Sequence, residues 1–357
     1  DLYHERVALP EAAKLSVPDQ IRAGGLKFES HSVTTTDGYI LDLWHVYSDD
    51  VEPAINEETG ERKVAFMQHG LLDIAGTWWF NTPEDSIAAT LARKGWSMWF
   101  GNNRGTTNSY KHLMYTVDDD EYWNYSFNEM GKYDLPANVD YILKETTVSK
   151  ITYMGHSQGT TQFWVANTMY PDLGSKIEKM VAFSPVMYLA YQNGPIIIPS
   201  LKYNLDGPLL DFFVTILWFK DGYNRFDTFV YNYAPEILTF IPRTSWAIVE
   251  AFVGIDGVSH MSNKRMPMMA RNDSGGSSSK NFKLWAKNIR EKGFCDLDGK
   301  PYAVETLKER LANTDILLLS GAHDAFSQPK DVDSLVAVLP ADKVKRVTFP
   351  DYNHLDY

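Results

Sequence analysis

Apolar positions along the chain follow two rhythms. Ser32–Thr36 and Tyr39–Tyr47 read as two strands around the tight turn Asp37-Gly38. Val64–Gln68, Ser97–Phe100 and Ile151–Met154 are instead nearly continuous apolar runs. They end at His69-Gly70, Gly101-Asn102 and Gly155. Short unbroken apolar runs separated by helical stretches mark strands buried on both faces, so the class is α/β, with a mainly parallel sheet covered by helices on both sides. Thr314–Ser320 and Lys345–Phe349 resume the strand pattern near the C-terminus.

Between these two groups the strand rhythm is lost. From Met187 to Phe252, 15 of 66 residues are aromatic, against 13% of the whole chain. Phe212, Phe213, Trp218, Phe219, Tyr231, Tyr233 and Trp246 are among them. The pattern predicts an inserted, mostly helical cap lining an apolar pocket. A second packed core is the alternative, because aromatic residues fill cores everywhere. The expected division is 1–186 for the first part of the α/β core, 187–310 for the cap and 311–357 for the second part. Ser274–Lys280 is Ser/Gly-rich and reads as a loop.

Composition narrows the function. With 44% hydrophobic and 22% charged residues the chain is an ordinary globular protein. A net charge of −12 argues against nucleic acid as a partner, since phosphate binding needs a basic face. The single cysteine, Cys295, excludes an internal disulfide, and its polar surroundings with no leading strand argue against a nucleophile. No run reaches the roughly 18 apolar residues of a membrane span; Leu209–Phe219 is too short and contains Asp211. Asn124-Tyr125-Ser126 and Asn272-Asp273-Ser274 are glycan acceptors only on the secretory path. The chain opens on Asp1, which suggests a removed leader or a trimmed sequence.

The strongest chemical signal is Gly155-His156-Ser157-Gln158-Gly159. The pentapeptide pattern alone arises by chance about one time in ten in a chain of this length. Its context raises it: a strand, Ile151–Met154, leads in, and Gln158–Met169 can form a helix after it. This is the strand–turn–helix setting that exposes a serine nucleophile at a strained apex. The serine needs a base, and the base an acid, in the chain order Ser, acid, His. Beyond the cap only His323 and His354 follow Ser157. His354 lies just past a strand, whereas His323 directly precedes Asp324 and is too close to be oriented by it. Asp324, just after Leu317–Ser320, is the expected acid; Asp351 and Asp356 are sequence neighbours of His354 and poorly placed. Backbone N–H groups of Leu71 and Gln158 are the expected oxyanion donors. His69 is read as holding the Leu71 loop and His156 as packed beside the elbow. No cofactor or metal site is expected.

At this point the sequence resembles the acid lipase family, of the gastric and lysosomal type, from about Val33 to Asp356. Thr36–Leu41, Gln68–Leu72, Gly101–Gly105, Ser126–Met130, Lys132–Pro136, Gly155–Thr161 and Tyr352–Asp356 carry the likeness. It implies the α/β-hydrolase fold with an inserted cap or lid, and a serine hydrolase acting on neutral lipid esters such as triacylglycerols or sterol esters. It also implies work at a lipid–water interface or membrane surface, in a secreted or lysosome-like lumen. Two departures stand out. The cap matches weakly before Gly275, and family members carry several cysteines where this chain has one. Family chains also continue past the histidine block, so an extension beyond Tyr357 by at least one helix is expected. Two other readings are a carboxylesterase for small soluble esters and a non-catalytic lipid-binding member of an assembly.

Overall fold

A computed structural model describes residues 14–79, 86–193, 268–269, 272 and 275–357. Most of the aromatic stretch expected to form the cap, including Phe212, Phe213, Trp218, Phe219, Tyr231, Tyr233 and Trp246, lies outside the described residues.

The core is one mixed sheet. After helix α1 (Val17–Ala23), strands β1 (Lys27–Thr34) and β2 (Tyr39–Tyr47) form an antiparallel hairpin. Next come β3 (Val64–Gln68), helix α2 (Ile87–Arg93), β4 (Ser97–Gly101) and the two-residue β5 (Lys111–His112). A short helix α3 (Phe127–Glu129) runs through a π-turn into α4 (Leu135–Thr146). Then follow β6 (Ile151–His156), α5 (Gln158–Met169) and β7 (Ile177–Phe183). The described C-terminal part contains α6 (Ser279–Glu291), α7 (Leu307–Arg310), β8 (Asp315–Gly321), α8 (Pro329–Ala337) and β9 (Val344–Phe349). The sheet order is β1-β2-β4-β3-β6-β7-β8-β9, with β5 paired to β2. From β4 through β9 neighbouring strands are parallel, while β2 joins β4 antiparallel.

Strand pleating explains why the central runs are apolar without interruption. Val64 and Phe66 of β3 face a cluster containing α4, α5 and α6, whereas Ala65 and Met67 face a cluster with α1 and α2. The same two-residue alternation puts Trp99 on the first side and Met98 and Phe100 on the second. With a helix layer on each face, both sets of side chains must be apolar.

β7 and β8 are adjacent and parallel, although residues 184–314 lie between them in sequence. Part of that segment is docked on the core: Leu284, Trp285, Ala286 and Ile289 of α6 join the main apolar cluster. β7 was not anticipated from the sequence, because Glu178 and Lys179 break its apolar run. β1 begins earlier than expected, at Lys27; in its first half Lys27, Glu29 and Ser30 are exposed and only Phe28 is half-buried. Asn272 of the second sequon is internal, its amide donating to Gln20 and to the Trp79 carbonyl, so it is not offered for glycosylation in the fold. Cys295 is buried and burial raises its thiol pKa, as suits a packing residue. Among the described residues no helix is long and apolar enough to cross a membrane.

A buried ion network ties the early strands to the helix layer. The Arg104 guanidinium, with a side chain 1% exposed, bonds Asp134 at 2.6 and 2.8 Å and Asp37 at 2.6 and 3.0 Å. It also lies 4.0 Å above the Tyr39 ring centroid. Burial disfavours the charge on Asp37, but Arg104 beside it outweighs that and holds the carboxyl below its usual range. Removing one partner leaves a desolvated charge uncompensated, which costs about 3–5 kcal/mol. Arg104→Met, which strands the buried Asp134 carboxylate, should therefore lower the unfolding free energy by about that amount in urea titrations. A loss below about 1 kcal/mol, the size of a surface pair, would contradict the assignment.

Candidate active site

The site forms where β6 turns into α5. Ser157 sits at that turn with φ 50° and ψ −119°, outside the regions an L-residue normally occupies. Such a conformation costs on the order of 1–3 kcal/mol and needs surrounding structure to impose it. The Ser157 N–H donates to the Phe183 carbonyl at 3.1 Å, and its own carbonyl accepts from Thr160 N–H at 2.9 Å. Gly159 is required by contact: a Cβ there would fall 2.4 Å from the Gln68 carbonyl oxygen. Strand β3 and helix α5 thus approach closely enough to bring the loop after β3 to the serine.

Ser157 Oγ lies 2.8 Å from His354 Nε2, and His354 Nδ1 lies 2.9 Å from both carboxylate oxygens of Asp324. Asp324 is fully buried, and its Oδ1 also accepts the N–H groups of Phe326 and Ser327 at 2.9 and 2.8 Å. Burial alone would raise its pKa. The His354 imidazole and these donors outweigh burial and hold it below the usual carboxylate range. His354 is 5% exposed, whereas Ser157 is partly open to solvent. The chain around His354 is packed: Tyr352 stacks on Phe349 at 4.5 Å, and the Tyr357 ring sits edge-on to both.

Of the two residues expected as oxyanion donors, Gln158 follows the serine directly and Leu71 lies in the loop after β3. Gln158 N–H is at the first turn of α5, where backbone N–H groups have no intrahelical partner and the helix dipole favours negative charge. The Gln158 side chain is fixed from the other side, its Oε1 accepting from Asn281 Nδ2 and Trp285 Nε1 at 2.8 Å each. On the facing loop, Gly70 N–H donates to Asp73 Oδ2 at 2.9 Å, and Leu71 follows it directly. A Cβ at Gly70 would come 2.7 Å from Asp73 Oδ2 and 3.1 Å from both His156 Nδ1 and Ser157 Cβ, so a side chain there would crowd the loop against the serine. Buried His69 holds this loop: Nδ1 donates to the Gly70 carbonyl at 2.8 Å and Nε2 accepts Asn103 N–H at 3.0 Å. Burial keeps it neutral, with its pKa lowered to about 4.

The alternatives set aside in the sequence fall elsewhere. Asp351 and His323 are exposed, and Asp356 accepts the Asn353 N–H at 2.8 Å. A link that sequence reasoning missed is carried by His156. Its Nε2 donates to the His354 carbonyl at 2.9 Å, and its Nδ1 lies 3.7 Å from Asp73 Oδ2. Asp73 therefore serves the loop of Leu71 and, through His156, the loop of His354. No local pattern announces this, since Asp73 and His354 lie far apart in sequence.

Comparison with known proteins places these residues in context. Residues 17–82 match the family described as a partial alpha/beta-hydrolase lipase region, and residues 66–235 match the alpha/beta hydrolase fold. Gastric triacylglycerol lipase of Bos taurus is 31% identical over 364 residues, covering 99% of this chain and 89% of that protein. Lipase member K of Homo sapiens is 29% identical over 369 residues, covering 98% and 88%. An esterase from Exiguobacterium antarcticum has a TM-score of 0.51 at 11% identity, covering 91% of this chain and 92% of its own. An alpha/beta fold family hydrolase from Bacillus anthracis str. Sterne has a TM-score of 0.50 at 16% identity, covering 92% and 93%. At such identities the two structures speak to the α/β-hydrolase fold alone.

The His156 link has a pH signature. Burial opposes its charge, but the Asp73 carboxylate and the His354 carbonyl outweigh that and raise its pKa. A pKa raised by folding contributes stability that is complete below the unfolded value of about 6.5 and is lost as pH rises through the folded value. The stability difference between the native protein and Asp73→Asn should thus be larger at about pH 5 than at about pH 9. Equal differences at both pH values, measured by urea unfolding, would exclude a protonated His156.

Proposed function

The chain belongs to the acid lipase family of α/β-hydrolases, and from that premise we propose that it cleaves carboxylic esters of neutral lipids through an acyl-enzyme on Ser157. The observation that carries the reading is the continuous hydrogen-bonded series from Ser157 Oγ through His354 to Asp324. In this mechanism His354 Nε2 takes the hydroxyl proton as Ser157 Oγ attacks the acyl carbonyl. Asp324 holds the Nδ1–H tautomer and stabilises the imidazolium. The tetrahedral oxyanion accepts from the N–H groups of Leu71 and Gln158. His354 then protonates the departing alcohol, leaving the acyl group on Ser157. A water molecule, deprotonated by the same imidazole, attacks the acyl ester, releases the fatty acid and restores Ser157.

The substrates we propose are triacylglycerols or sterol esters, met at a lipid–water interface in a secreted or lysosome-like lumen. Relatives named gastric triacylglycerol lipase support the first part. We assign the acyl pocket and lid to residues 187–310. The support is the long segment between the adjacent strands β7 and β8, together with its aromatic composition.

A panel of emulsified long-chain and soluble short-chain esters, assayed from acid to neutral pH, tests the reading. Long-chain esters should be preferred, each buried methylene contributing up to about 0.8 kcal/mol. Ser157→Ala should lower turnover by roughly 10⁶, and Asp324→Asn by roughly 10⁴. Asp351→Asn should have little effect, because that side chain is exposed. A preference for short soluble esters would point to a carboxylesterase. Retention of more than a few per cent of turnover in Ser157→Ala would remove the serine mechanism.

A further inference from the structure

Outside the active site, three potential metal ligands converge on the opposite edge of the sheet. Glu29 and His31 lie two residues apart on β1 and so share a face, and Glu29 pairs directly with His45 of β2. Their ligand atoms all lie within 4.8 Å of one another. Both imidazoles are oriented by their far nitrogens: His31 Nδ1 is 3.1 Å from the Tyr141 hydroxyl and His45 Nε2 is 2.9 Å from the Ser97 hydroxyl. The His45 ring is further clamped between Trp99 at 4.2 Å and Tyr47 at 4.7 Å, both stacked. The near nitrogens then point at the same atom, Glu29 Oε2, from 3.3 Å for His45 Nδ1 and 3.4 Å for His31 Nε2. The other carboxylate oxygen is occupied by the Tyr47 hydroxyl at 2.9 Å.

These separations are informative. A charge-assisted N–H···O bond closes to about 2.7–2.9 Å, and His31 Nε2 is buried without a hydrogen-bond partner. Zinc holds imidazole nitrogen at about 2.0–2.1 Å and carboxylate oxygen at about 2.0–2.2 Å, so the edges of its coordination tetrahedron are about 3.3–3.5 Å. Both nitrogen–oxygen distances, 3.3 and 3.4 Å, match that edge. Partners on the far ring nitrogens are the support that metal-bound histidines generally have. We propose that Glu29, His31 and His45 form a zinc site with one position left for water, clasping β1 and β2 to β4 and, through Tyr141, to α4. Three strands separate β1 from β6, so the site lies about 19 Å across the sheet from the serine strand. Its role is to fasten the sheet edge and not to take part in ester hydrolysis.

The test uses the full chain stripped of metal by a chelator and titrated calorimetrically with Zn²⁺. One equivalent per chain is expected, with a rise in melting temperature, and Co²⁺ in its place should give the visible absorption of a four-coordinate ion. Tyr141→Phe keeps the ring but removes the hydroxyl behind His31, and should weaken zinc binding roughly 10–100-fold. Glu29→Gln with His31→Gln should abolish the stoichiometric uptake. All of these variants should retain ester hydrolysis, which also reports that they are folded. Absence of saturable uptake by the native protein would overturn the proposal. So would uptake that persists undiminished in the Glu29→Gln, His31→Gln variant or in Tyr141→Phe.

Discussion

The backbone of Ser157, held at φ 50° and ψ −119°, is the constraint on which the rest of the site depends. A relaxed serine there would carry its hydroxyl along β6 or into α5 and away from His354. The strain is sustained because both flanking elements are locked. Met154 and Tyr153 of β6 are buried in opposite clusters, and every residue of α5 from Gln158 to Thr168 is buried. Close packing of that kind permits only one arrangement of the turn between them. The glycines of the motif are then a requirement of distance, since α5 crosses the β3 loop with no space for a methyl group at Gly159.

The loops on either side of the serine are fastened by a chain of polar contacts that reaches deep into the core. Arg104, neutralised by Asp134 and Asp37, anchors the turn after β4. The neighbouring Asn103 N–H fixes His69, and His69 fixes Gly70. Asp73 joins Gly70 to His156, and His156 joins the His354 carbonyl, which also accepts from the Ser184 hydroxyl at 3.1 Å. Three of the sequence blocks that carry the family likeness, around Asp37, Arg104 and Asp134, are therefore parts of one electrostatic unit. Its contribution to chemistry is positional: displacement of about 1 Å at a reacting group can cost around 100-fold in rate.

Much of this was legible before the structure. Val64–Gln68, Ser97–Phe100 and Ile151–Met154 are strands because continuous apolar runs have few other uses in a sheet covered on both faces. That Ser157, Asp324 and His354 meet could be anticipated because each follows the end of a strand, where parallel sheets bring loops together. β7 escaped because Glu178 bonds Thr152 and Asn56 across the sheet, so a polar residue sits where an apolar one was sought. The His156–Asp73 contact and the Glu29, His31 and His45 cluster escaped for a different reason. Each depends on which strands and loops become neighbours, and single residues separated by a turn carry no such information. Asn272 shows the converse, a pattern readable in sequence that burial makes unavailable.

The central claim is that Ser157 is the nucleophile and that its reactivity comes from His354 and Asp324. The most direct measurement is labelling with a fluorophosphonate, in which an activated serine displaces fluoride to form a stable phosphonate ester, followed by peptide mass analysis. The account predicts one adduct, on Ser157, forming in proportion to the loss of hydrolytic activity and absent in Asp324→Asn over the same time. Hydrolysis that continues with Ser157 fully modified, or an adduct on another residue that tracks the loss of activity, would contradict it.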